Sequence, residues 1–120
     1  MGIANYTNMS ELLNAALKTG RSVSISDIVA EASNRVIILA SEGEAADQGD
    51  LENGFINIVE ALCRKGAVKP VPENENEARL LKLYESGELS ARGYGVKDGD
   101  QFLNIKWIAV TDDIPVIVNL

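Results

Sequence analysis

Apolar positions recur at helical spacing through the first two-thirds of the chain and change to strand alternation near its end. Leu12, Leu13, Ala16 and Leu17 form one stripe, preceded by Asn8 and Glu11 at capping-box spacing and followed by Gly20, a residue suited to the left-handed turn that closes a helix. This predicts a first helix at about 9–18. Ile25, Ile28, Val29, Ala32 and Val36 continue the helical series, with Ser24 or Ser26 as cap and Asp27 at the positive end of the dipole. A second helix is expected to about residue 34, while the β-branched run Val36, Ile37, Ile38 suits either its continuation or a buried strand.

Residues 41–49 are small and acidic and read as a loop. Asp50 then has the chemistry of a cap for a third helix, whose Leu51, Phe55, Ile58, Val59 and Leu62 share one face, with Ile56 widening it and Gly66 closing it. So broad a stripe predicts a largely buried helix. Ala67–Val71 is β-like, but Pro70 and Pro72 lack N–H groups and confine it to a sheet edge or a linker. Asn74 and Glu77 repeat the capping-box spacing, opening a fourth helix through Leu80, Leu81 and Tyr84 to Gly87.

Beyond Leu89 the pattern changes. Asp98-Gly99 between β-prone runs is a hairpin signal, because both turn positions take positive φ. Phe102–Val110 alternates, with Leu103, Ile105, Trp107 and Ala109 on an inward face and Phe102, Asn104, Lys106 and Ile108 opposite. Thr111–Asp113 forms a turn, and Ile114–Val118 is expected as the last strand, placed at an edge by Pro115. The expected fold is α+β: about four helices followed by a C-terminal three-stranded antiparallel β-meander, in one domain over 1–120. An exposed edge of that sheet makes a homodimer seam an expectation.

Composition narrows the chemistry. With 46% apolar and 24% charged residues in 120, the chain has ordinary globular make-up. It has no histidine and one cysteine, Cys63, so common zinc sets, an internal disulfide and the Ser-His and Cys-His nucleophile pairs are not available. Cys63 reads as a small packed residue. No apolar run nears the ~20 residues of a membrane span, and Met1–Ser10 lacks the regions of a signal peptide, so a cytoplasmic protein without a membrane partner is expected.

The net charge of -7 is uneven: residues 1–60 hold three basic side chains, Lys18, Arg21 and Arg35, against nine acidic ones. Such a field disfavours nucleic acid and favours a protein partner with a basic surface. The candidate contact residues are Glu42, Glu44, Asp47 and Asp50, joined by Tyr94, which Gly93 and Gly95 flank as in a bulge that turns a ring outward. A small acidic interaction or regulatory protein without catalytic activity is the first expectation.

Two other readings follow from the residues. Ser24–Ala32 after the first helix resembles the first two helices of a helix-turn-helix module, which implies a nucleic-acid-binding regulator using 9–40; the stretch that follows offers Arg35 and an apolar run where basic and amide groups are needed. Asp98, Asp100, Asp112 and Asp113 suggest a metal-dependent enzyme or small-molecule binder, but consecutive hairpin turns lie at opposite ends of the joining strand, roughly 30 Å apart at ~3.3 Å per residue. These aspartates therefore read as solvated turn residues, and no metal or cofactor is expected.

Overall fold

The computed structural model describes residues 6–33, 48–87 and 101–118. Among them are four helices, α1 (Tyr6–Leu17), α2 (Ile25–Ser33), α3 (Gln48–Arg64) and α4 (Glu75–Glu85), and three short strands, β1 (Val23–Ser24), β2 (Val68–Val71) and β3 (Lys106–Ala109). The strands form one antiparallel sheet in the order β1-β3-β2, so the class is α+β as expected. The order differs from a C-terminal meander. Its strands come from three distant parts of the chain: β3 lies in the region assigned to the meander, β2 falls on the β-like segment 67–71, and β1 lies where no strand is expected. The hairpin predicted around Asp98-Gly99, the segment 35–40 and the loop 41–47 lie outside the described residues.

The helix boundaries follow local chemistry in three cases and tertiary packing in the others. Asn74 caps α4, its Oδ1 accepting the Glu77 N–H at 2.9 Å, and the Glu77 carboxylate reaches back to the Glu73 N–H at 3.0 Å. Ser24 caps α2 through the Asp27 N–H, at 3.0 Å. At the end of α3, Gly66 N–H donates to Cys63 O and Ala67 N–H to Leu62 O, a Schellman pair that needs the positive φ of Gly66. That turn delivers the chain directly into β2.

Helix α1, by contrast, already includes Tyr6, so Asn8 and Glu11 lie within it rather than at its cap. Tyr6, in the turn ahead of Asn8, is partly buried against the core and its hydroxyl accepts from the Asn57 amide at 3.4 Å. Likewise α3 starts at Gln48, and Asp50 stands in its first turn, where it faces the positive end of the dipole, rather than at the cap.

Helix α3 packs against α1, α2 and β2. Its Leu51, Phe55, Ile56, Ile58, Val59 and Leu62 are all buried, as the stripe predicts, in a core continuous with α1, α2 and β3. On the sheet, Val110 N–H donates to Ala67 O at 2.8 Å, which fixes the alternation of the β2–β3 ladder. Pro70, opposite Trp107, consequently turns its nitrogen outward, where no strand needs a donor. Of the sheet edge or linker expected for this segment, the edge is observed.

Two predicted strand segments take other forms. Residues 101–104 turn back on themselves, Asn104 N–H donating to Gln101 O and Ile105 N–H to Phe102 O, so Phe102 and Leu103 are both buried and Phe102 leaves the outward face assigned by alternation. The turn is clamped to α2: Ser26 N–H donates to Leu103 O at 3.0 Å, and its hydroxyl reaches the same carbonyl and Asn104 Oδ1. Ile114–Val118 joins no ladder. Its buried positions, Ile114 and Ile117, are three apart rather than two, and side chains of α1 hold it: Ser10 Oγ accepts the Ile117 N–H at 3.0 Å, and the Asn14 amide donates to Ile114 O and Pro115 O.

Candidate functional site

Of the expected contact residues, Glu42, Glu44, Asp47 and Tyr94 lie outside the described residues, and Asp50 sits part-buried in the first turn of α3. Asp112 and Asp113 are exposed, and Asp98 and Asp100 lie outside the described residues. Among the described residues no group of three or more Cys, Asp or Glu is placed to hold a metal ion, and no helix is long and apolar enough to cross a membrane. The helix pair of the 9–40 reading is joined by residues 18–24, which include β1, a longer connection than the three- or four-residue turn of a helix-turn-helix.

Two concave features stand out. The larger is a groove of about 680 Å³ between α1, α2 and the sheet. Its floor is apolar, from Leu12, Ala15, Ala16 and Ile28, because the small side chains of α1 face the start of α2 there. Asp27 and Glu31, one helical turn apart on α2, line it together with Arg21 and Lys106. Lys106 Nζ also pairs with Glu73 at 3.2 Å, which engages part of the groove's positive charge.

The smaller is a half-open pocket of about 190 Å³ at the corner of α3, α4 and β3, lined by Ile56, Val59, Glu60, Cys63 and Arg64 of α3, Tyr84 of α4, Ile25, Phe102 and Trp107. The three rings form a contiguous wall: Tyr84 and Phe102 lie 4.7 Å apart and tilted, and Phe102 meets Trp107 edge-on at 6.3 Å. Trp107 is 5% exposed, and its indole Nε1 is fully buried without a hydrogen-bond partner. Burial is also what governs Cys63. It pushes the thiol up to about 11, the Glu60 carboxylate adding to the rise and Arg64 opposing it, so this cysteine is a protonated, weakly nucleophilic group near neutral pH.

Sequence reasoning places Trp107 in the core, where it is, and Cys63 among packed residues. It misses Phe102 as the ring that links Tyr84 to Trp107, because that contact depends on the 101–104 turn and not on any spacing. Compared with family models, with curated proteins and with solved structures, the chain matches none.

Proposed function

We propose that this chain is a non-enzymatic interaction or regulatory protein that takes a protein partner with a basic, amphipathic surface. The observation that carries the reading is the α1–α2 groove: an apolar floor of Leu12, Ala15, Ala16 and Ile28 beside the carboxylates Asp27 and Glu31. Such a surface receives apolar side chains and nearby basic groups together. Glu42, Glu44, Asp47 and Asp50 belong to the acidic excess of residues 1–60 and are proposed as further contacts for a basic partner, with Tyr94. An edge-paired homodimer has less support, since β1 is two residues long and Pro70 removes one of the outward donors of β2.

The test is affinity capture of the tagged full chain in its native host, followed by calorimetric titration of the captured partner. Combined Asp27→Lys and Glu31→Lys should weaken binding at least tenfold, and reversal of Glu42, Glu44, Asp47 and Asp50 should weaken it further and reduce its salt dependence. Unchanged affinity in both sets ends this reading. Salt-dependent binding to duplex DNA in a mobility-shift assay would instead favour the regulator built on residues 9–40.

A further inference from the structure

We propose that α1 takes the segment 114–118 of a second copy of this chain in place of its own, giving a dimer by reciprocal exchange across a two-fold axis. The partner and the face both differ from those of the groove argued above.

The seam already shows the contacts that an exchange keeps. Ile114 and Ile117 are buried, Ser10 Oγ accepts the Ile117 N–H at 3.0 Å, and the Asn14 amide donates to the carbonyls of Ile114 and Pro115. These hydrogen bonds join α1 to the segment and need no strand, so the same set forms whether the two belong to one copy or to two. The connection from β3 is the exposed stretch 110–113. Val110 N–H is bonded to Ala67 O; beyond it, among the described residues, the turn is held by one long bond, Thr111 Oγ1 accepting the Asp113 N–H at 3.3 Å.

The exchanged form is distinguished by what it adds. Among the described residues the exposed large apolar side chains are Val110, Val116 and Val118, all on the connection or the segment. Three valines fall well short of the ~800 Å² per partner of a stable interface, so pairing of this surface alone does not make a dimer. Exchange adds the buried Ile114 and Ile117 and the seam hydrogen bonds to the same contact. When extended, 110–113 also prolongs β3, and Val110, Thr111 and Ile114 are β-branched. Two-fold symmetry sets the two connections side by side in opposite directions, so that Asp112 and Asp113 of both copies meet. In the single chain these carboxylates are exposed to water. The aspartates therefore oppose exchange and keep the dilute chain monomeric.

Docking within one copy has the effective concentration of a short tether, in the millimolar range, so exchange competes when the full chain is refolded from urea at about 1 mM. Sedimentation should then show dimer beside monomer. Combined Asp112→Asn and Asp113→Asn, which keep the turn chemistry, should raise the association constant about tenfold or more at low salt and less at high salt. Equal parts of isotope-labelled and unlabelled chain, refolded together, should give isotope-filtered contacts between Ile117 of one copy and Ser10 of the other. Monomer alone at that concentration, in both the wild type and the asparagine variant, would overturn the proposal. So would a dimer in which the Ser10–Ile117 contact stays within each chain, because that is a pairing of surfaces without exchange.

Discussion

The seam between α1 and the C-terminal segment and the aromatic corner at Trp107 both bury polar side-chain atoms, but they use them in opposite ways. At the seam, Ser10 and Asn14, one helical turn apart, face inward and bind backbone: the Ile117 N–H at 3.0 Å and the carbonyls of Ile114 and Pro115. Only Asn14 Oδ1 is left over there, and Asn14 lines neither the groove nor the corner cavity. At the corner, Trp107 Nε1 is unpaired and its residue borders open volume. Buried polarity at the seam substitutes for a missing ladder; at the corner the unpaired donor is a cost that the packing of the rings has to offset.

The largest way to break the contrast is to remove the ring on which the corner depends. Phe102 is 2% exposed, stacks between Tyr84 and Trp107, and sits on the turn that Ser26 clamps. Phe102→Ala should destabilise the fold by about 3–5 kcal/mol, the range for deleting a fully buried aromatic side chain. Urea denaturation followed by Trp107 fluorescence measures this, and the native emission should shift to the red as the indole loses its cover. A loss under about 1 kcal/mol would mean that the three rings do not pack as one wall.

The next effect sharpens the reading of the corner as apolar. Since burial lifts the Cys63 thiol from 9.0 to about 11, the thiolate fraction near pH 8 is about one-hundredth of that in the unfolded chain. Native alkylation by iodoacetamide should therefore run up to two orders of magnitude slower than alkylation in urea at the same pH. The sign fixes the profile: the unfolded rate levels off above pH 9, the native rate keeps rising toward pH 11, and the gap closes between them. Equal rates at pH 8 would show that the thiol is solvated and that burial does not govern it.

What the sequence disclosed depends on how far the causes of each element reach along the chain. The Asn74–Glu77 box, the Ser24 cap, the turn at Gly66 and the edge role of Pro70 are set within a few residues, and all are in the structure where spacing places them. Tyr6, in the turn of α1 ahead of Asn8, meets Asn57 of α3, and the turn that buries Phe102 is held by Ser26 of α2. Neither leaves a local signal. The sheet order β1-β3-β2 likewise joins segments too distant for a pattern of period two to relate. For the site, the sequence marked Trp107 and Cys63 as core residues but carried nothing to show that one donor lacks a partner.

Ser10 presents the smallest effect and separates the two regions most directly. A serine within a helix usually faces water or its own backbone, yet here it is fully buried and serves as the acceptor for Ile117 N–H, a residue far along the chain that no strand satisfies. Ser10→Ala keeps the helix and nearly the same volume while leaving that N–H without a partner. The expected cost is about 1–3 kcal/mol in urea denaturation, the penalty of one buried unsatisfied donor. Amide exchange at Ile117 and its neighbours should accelerate before the core amides of α3 do, because Asn14 alone then holds the segment. The Trp107 indole signal and the rate of Cys63 alkylation should be unaltered, since Ser10 and the corner share no contact in the lining. If the corner responded as strongly as the seam, the two would be one cooperative unit, and the distinction between buried polarity that is paired and buried polarity that is not would fail.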